Sequence, residues 1–323
     1  MKNSTKVYVN LLWNSRFFRY CVNFLKKHTL PGFEGLSVWD IMHIFFKGIS
    51  QSSISDRASI MTFRLTMAIF PALLFFCALI PFIPFPNPEN SLLKLFGNMM
   101  PGQLSILLEE ALKSLLKKQN GSLLSISLLV ALYFGANTIL SLMDAMNQSA
   151  LISETRSRWR QRLTALGLLL LIFIMTVTAL AVIYGTTEIL RYLKRVHIIS
   201  FKIKGIIYFI QLLILYIQLF FTISLIYRAA PAKRLSKRLF SPGTVVATNA
   251  SFLVSLGLTY FFNNFSNFNK IYGTIGSVPV ILTWIFVNCM VLLVGFELNA
   301  SIYVANKNLN QLGQNHNSSK VEQ

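Results

Sequence analysis

The sequence predicts an all-α membrane protein with six transmembrane helices and with both termini in the cytoplasm. Composition is the first reason: of 323 residues, 54% are hydrophobic and only 13% are charged, with a mean hydropathy of +0.56. Soluble domains carry about 25% charged residues. This chain therefore lacks the charge to cover itself with a hydrated surface, and its apolar excess must face lipid.

The second reason is a set of six runs without a charged side chain, each long enough to cross a bilayer, which takes about 20 residues. The runs are Leu65–Pro88, Gln119–Met143, Leu163–Thr187, Gly205–Tyr227, Leu239–Asn269 and Ile271–Phe296. The fifth is the longest, but polar residues at both of its ends trim it to one helix. Six spans follow.

The distribution of Lys and Arg predicts the orientation of these spans. Residues 1–60, 149–163, 228–240 and the C-terminal tail together hold 19 Lys and Arg, against 10 in the loops at 84–122, 190–205 and 266–273. Because cytoplasmic loops are enriched in Lys and Arg, the first set is predicted to be cytoplasmic. The loop at 190–205 is itself basic, which makes the difference in Lys and Arg counts between the two sets smaller.

Three regions are predicted along the chain: a cytoplasmic or interfacial amphipathic region at 1–60, a six-span domain at 61–305 and a disordered cytoplasmic tail at 306–323. Ser37 and Asp40 have the spacing of a capping box, and apolar residues follow at helical intervals. This helix either rests in the membrane interface or docks on the bundle. The first external loop also carries helical stripes, which suit a lid, an interfacial hairpin or a partner surface.

The net charge of +19 bears on partners. The basic residues crowd between apolar runs, so we expect them to attract anionic lipid headgroups and to set topology. Membrane lipids are therefore the expected partners, and nucleic acid is not. Self-association of the chain is left open.

Ionisable side chains within spans are costly and often functional, and three stand out: Arg64, Asp144 and Glu297. With the predicted topology all three lie toward the cytoplasmic side. One hypothesis is that Arg64 pairs with one of the two acids. Snorkelling of each group to the interface and a substrate or proton site are the alternatives.

Amides and helix-breaking residues complete the set of candidate site residues. Asn147 and Asn299 either join a polar cavity with the three charges or hydrogen-bond between helices, as amides in spans usually do. Prolines in the middle of a span kink it, and glycines permit close approach or a broken helix. The residues predicted to act in these ways are Pro71, Gly273, Gly276, Pro279 and Gly295.

Recognisable catalytic chemistry is absent from the sequence. Four histidines are scattered outside the spans, no carboxylate cluster suits a metal ion, and no Walker A or dinucleotide-binding loop occurs. We therefore expect no enzyme, no catalytic residues, no metal and no cofactor.

Several motifs together resemble one family. They are the stretch from Asp56 to Pro71, Arg158-Trp159-Arg160, Tyr227 to Pro231, Ser241-Pro242-Gly243, Tyr272 to Gly276 and Gly295 to Ala300. Their order over residues 50–305 is similar to the YihY/virulence factor BrkB family. The resemblance implies a bacterial inner-membrane (plasma-membrane) protein with six spans. That family has carried a ribonuclease label without an evident nuclease site, and some members are associated with envelope lipid or lipopolysaccharide handling.

Three functions are compatible with these observations. The first is a transporter that does not use ATP, or an envelope-lipid handling protein, with a central polar cavity lined by Arg64, Asp144, Asn147, Glu297 and Asn299. The second is a membrane scaffold that contacts other envelope components through the external helices at 90–118. The third, a ribonuclease, rests on the family label alone.

Overall fold

The computed structural model describes residues 37–51, 53–79, 121–148, 155–196, 201–233, 235, 239–264 and 277–321. Within these ranges the regular structure is entirely helical, as predicted. The helices are α1 (Val38–Gln51), α2 (Ile54–Leu79), α3 (Gly121–Asn147), α4 (Arg158–Arg195), α5 (Phe201–Ala229), α6 (Pro242–Asn264) and α7 (Ser277–Val321).

The six helices α2 to α7 are long and apolar enough to cross a membrane, which confirms the predicted fold class and number of spans. Each packs on its neighbour in the chain, and α7 closes the ring by packing on both α6 and α2. The remaining helix, α1, lies against α7. Two of the ring contacts, α2 with α3 and α6 with α7, are the most extensive, and these four helices carry the candidate site.

The first span begins earlier than the charge-free run suggested. The backbone N–H of Arg57 donates to the carbonyl of Ser53 at 3.1 Å, and the helix starts at Ile54 rather than at Leu65. Counting charge-free residues misses these turns because they contain charged side chains. Arg57 consequently belongs to the bundle, although the predicted boundary at residue 60 placed it in the N-terminal region.

The last span also differs from the expectation at both of its ends. Pro279 lies in the first turn of α7, where proline is well tolerated, and not in the middle of a span as predicted. At the other end α7 continues to Val321, through the tail expected to be disordered from residue 306. Extending an existing helix requires no new nucleation, which is a physical reason for this continuation.

Packing in the ring is concentrated at one end, which we call the packed end: α2, α4 and α6 begin there, and α3 and α5 finish there. In α5, every buried side chain that the structure describes lies at or after Phe220. In α6, every described one lies at or before Ser251. Toward the opposite end, the described buried residues are few, among them Ala78, Ser127 and Thr186.

Helix α1 docks on the bundle, one of the two alternatives left open by the sequence. Ile41 is fully buried and packs with Leu298, Ile302 and Ala305 of α7. One half of the predicted capping box is present, since Asp40 N–H donates to Ser37 Oγ at 3.1 Å. The Asp40 carboxylate accepts a hydrogen bond from Ser37 Oγ at 2.6 Å. The predicted helices of the first external loop, and Gly273 and Gly276, lie outside the described residues.

Candidate functional site

A pair of opposite charges is buried at the packed end of the ring. Arg57 of α2 is 5% exposed and Glu297 of α7 is 1% exposed. The guanidinium donates from Nη1 to the carbonyl of Ala145 on α3 at 2.5 Å, and its charge is attracted by that of Glu297. Charges buried within spans are rare and mark functional sites by default. Arg57 thus joins α2 to α3 through a hydrogen bond, and its charge acts on Glu297 of α7.

The Glu297 carboxylate lies directly against the backbone of α1. A Cβ atom added to Gly48 would stand 2.9 Å from Glu297 Oε1, so a larger residue there would require the end of the Glu297 side chain to shift. Gly48 is itself buried. The docked α1 therefore covers one side of the charge pair.

A second polar cluster lies beside this pair, at the start of α6. Asn299 of α7 accepts a hydrogen bond from Gly243 N at 2.9 Å and donates one to Ser241 Oγ at 2.9 Å. Ser241 Oγ also accepts from Thr244 N at 3.3 Å. The first N–H groups of a helix have no partner within it and need such caps. Asn299 thus caps a neighbouring helix from another span.

The two helices cross at a glycine contact. A Cβ atom on Gly243 would fall 2.0 Å from the carbonyl oxygen of Gly295, and a Cβ on Gly295 would fall 2.6 Å from the hydroxyl of Tyr227. That hydroxyl donates to the carbonyl of Leu292 at 2.6 Å. Gly295, predicted to permit close approach, lies at this crossing of α6 and α7.

Next to this crossing is a small polar cavity with room for about one water molecule. It is lined by Ser224, Tyr227, Arg228, Leu235, Ser241, Thr244 and Asn299. Of the five residues predicted to line a central cavity, only Asn299 reaches it. The cavity is too small to hold a lipid or a metabolite in this state.

Replacing Asn299 with alanine should lower the free energy of unfolding by about 1–2 kcal/mol, because Gly243 N–H and Ser241 lose a cap. Asn288→Ala is the matched control, since the Asn288 amide donates within its own helix, to the carbonyl of Trp284. Thermal unfolding of the purified protein in detergent measures both. Equal shifts for the two variants would contradict the capping role.

The other predicted residues are distributed differently from the hypothesis. Asn147 accepts a hydrogen bond from Ala232 N at 2.9 Å and so ties the end of α3 to the connection after α5. Arg64 is exposed and donates to the carbonyl of Asn137 at 3.4 Å. Asp144 is exposed and lies about 10 Å further along α3 than Asn137, at 1.5 Å per residue.

Arg57, which was not among the predicted site residues, is the arginine whose charge is attracted by that of the predicted acid Glu297. Sequence reasoning missed it because the counted run began only after Arg64. Helical periodicity does not separate the two arginines, because they are seven residues apart and fall on the same face of the helix. Pro71 lies within α2, which continues through it to Leu79.

Metal chemistry finds no support in the described part of the chain. Within it, no three His, Cys, Asp or Glu side chains come close enough together to hold a metal ion. The site consists instead of a charge pair, amides, hydroxyls and close backbone contacts.

Comparison with known proteins places this architecture in a family. The family model described as virulence factor BrkB matches residues 45–320. The chain belongs to the virulence factor BrkB family. The match begins within α1 and includes Arg57, Gly243, Gly295 and Glu297, so the site lies inside the part that defines this BrkB-family protein.

Two relatives illustrate how far the similarity extends. The ribonuclease-like protein YfkH of Bacillus subtilis (strain 168) is 26% identical over 253 residues, covering 78% of this chain and 91% of YfkH. The UPF0761 membrane protein Smlt0865 of Stenotrophomonas maltophilia (strain K279a) is 31% identical over 83 residues, which cover 26% of this chain and 20% of that protein. No solved structure matches.

These findings agree with the six apolar helices. This BrkB-family chain is a multi-pass bacterial membrane protein.

Proposed function

We propose that this protein moves anionic envelope lipids in the bacterial inner membrane without using ATP. The observation that carries the proposal is the Arg57–Glu297 pair, buried to 5% and 1% exposure within the ring of spans. A buried ion pair is often less stable than apolar residues of the same volume. Its presence in a membrane bundle is therefore better explained by a function that uses charge.

The uneven packing of the ring supports movement. A carrier exposes its site to one side at a time, with one end of the bundle closed. Here buried side chains concentrate around the charge pair at the packed end, whereas the described parts of α4 and α5 near the opposite end are largely exposed. This arrangement suits a carrier closed at the packed end.

The charge around the packed end supports an anionic substrate. Arg158, Arg160 and Arg162 begin α4, and Arg228 ends α5. Arg156 donates to the carbonyl of Ala230 at 2.7 Å, which holds this basic rim against the bundle. Basic residues near a membrane surface attract anionic headgroups by about 1 kcal/mol each.

Transport of a fluorescent phosphatidylglycerol between leaflets of proteoliposomes tests the proposal. We expect the wild-type protein to accelerate the exchange without ATP, and Glu297→Gln to slow the protein-dependent rate at least about tenfold, or 1.4 kcal/mol. Glu188→Gln is the matched control, because Glu188 is partly exposed on α4 and pairs with Arg191 one turn further along the same helix. No exchange above that of protein-free vesicles would contradict the proposal.

The scaffold alternative has its expected contact surface at residues 90–118, outside the described part of the chain. The ribonuclease alternative rests on the name of the relative YfkH, and that name describes YfkH. Neither is favoured by a described contact.

A further inference from the structure

We propose that Arg57 is the residue that binds the substrate's oxyanion, a phosphate or carboxylate group, through the Nε–Nη2 edge of its guanidinium. The inference rests on the proposed function for its biological ligand, but binding alone can test it.

The guanidinium has one occupied and one unoccupied edge. Nη1 donates to the Ala145 carbonyl at 2.5 Å. Nε and Nη2 are buried and have no hydrogen-bond partner among the described residues. The Nε–H and one Nη2–H point in parallel from the same edge of the planar group, and this edge grips carboxylate or phosphate with two hydrogen bonds.

Buried charged donors without hydrogen bonds are unusual. The large majority of buried polar atoms are satisfied, and leaving one unsatisfied is expensive. Glu297 balances the charge of Arg57, but this attraction does not supply hydrogen bonds to Nε and Nη2. The edge is therefore oriented and charged for an oxyanion that is not part of the chain.

Arginine is suited to this role and lysine is not. The bond to Ala145 fixes one end of the rigid guanidinium, so the free edge is preorganised in one direction. Lysine carries the same charge but presents it as a point, without two parallel donors. An oxyanion that takes the free edge competes with the Glu297 carboxylate for the same positive charge.

The docked α1 is the element next to this pair. Gly48 backs the Glu297 carboxylate, and α1 packs mainly on α7 through Ile41. It ends at Gln51, three residues before α2 begins at Ile54. Displacement of α1 along this short connection would uncover Glu297 and admit a ligand to Arg57 from the packed end.

Binding by the full-length protein in detergent separates this role from a structural one. The probes are short-chain phosphatidylglycerol, inorganic phosphate, and diacylglycerol as the lipid without phosphate. We expect Arg57→Lys to weaken phosphatidylglycerol binding at least tenfold. The matched control Arg64→Lys, seven residues along the same helix and exposed, should change it less than twofold.

Glu297→Gln is a second variant, needed because Arg57→Lys could bind poorly through misfolding alone. Removing the competing carboxylate should tighten phosphatidylglycerol binding at least threefold, which loss of structure cannot do. If phosphatidylglycerol binds much more tightly than inorganic phosphate, the ligand is a lipid headgroup. If the two bind equally, the ligand is free phosphate. Either result supports the oxyanion site. Equal affinities for Arg57→Lys and Arg64→Lys, or equal binding of diacylglycerol, would overturn it, with internal water as the partner of the free edge.

The two proposals fail separately. Binding that depends on Arg57 in a protein that gives no lipid exchange would retain the oxyanion site and remove the transport function. Lipid exchange by the wild-type protein, together with normal phosphatidylglycerol binding by Arg57→Lys, would retain the transport function and remove the oxyanion site.

Discussion

Replacing Gly243 with alanine is expected to destabilise the bundle by about 3 kcal/mol or more, the upper range for overpacking. The added Cβ would stand 2.0 Å from the carbonyl oxygen of Gly295 and 2.7 Å from the Asn299 amide. The first of these atoms is backbone, which cannot rotate away. Helices α6 and α7 would have to separate, and the cap from Asn299 to Gly243 N–H would be lost with them.

Gly257→Ala is the matched control on the same helix. Nothing lies within 4 Å of a Cβ added there, and alanine in a helix interior is favoured over glycine by roughly 0.5–1 kcal/mol. We therefore expect Gly257→Ala to be neutral or stabilising. Fluorescence-detected size exclusion and thermal unfolding measure both variants. A Gly243→Ala protein as stable as Gly257→Ala would show that the crossing is looser than the structure has it.

Replacing Glu297 with leucine should cost about 3–5 kcal/mol, the usual penalty for removing one member of a buried ion pair. Arg57 cannot lose its proton to relieve the uncompensated charge, since arginine stays charged in proteins. The double variant Arg57→Met/Glu297→Leu removes both charges. It should recover at least about 2 kcal/mol of that loss, because apolar replacements of a whole pair are often neutral or better.

The double variant also separates stability from function. If the pair exists for transport, the recovered protein folds but does not accelerate lipid exchange. Glu188→Leu on the surface of α4 controls for the substitution itself and should lie within about 0.5 kcal/mol of wild type. Reversible unfolding in mixed micelles measures all three variants. A double variant no more stable than Glu297→Leu would contradict a direct interaction between the two charges.

The fold class was predictable because it depends on composition and run length, which need no contacts. Six runs such as Gly205–Tyr227 are long enough to span, and the structure has a helix at each. Helix ends were less predictable. Ile54 begins α2 in the middle of polar residues, and Pro279, which looked like a kink, occupies a first turn where its missing N–H costs nothing.

The site depends on register between helices, which a single sequence does not contain. In the α2–α3 pair, Arg57 meets Ala145 and Arg64 meets Asn137. A shift of two turns would have put Arg64 beside Asp144, one of the two acids that the pairing hypothesis offered it. Glu297 and Asn299 were identified because a charge or an amide in an apolar run is visible as such. Their partners Gly48 and Gly243 were not identified, because a close contact at a glycine can be recognised only when the packed neighbour is known.

The buried pair also has a consequence for synthesis. Glu297 is made about 240 residues after Arg57, and at roughly 5–20 residues per second the delay is about 10–50 s. During this time the first span exists without its counter-charge. Arg57 lies only one turn from the start of α2, so its side chain can reach up to the headgroup phosphates. Insertion of α7 then draws the charge inward, which makes burial of Arg57 one of the last steps in assembly of the ring.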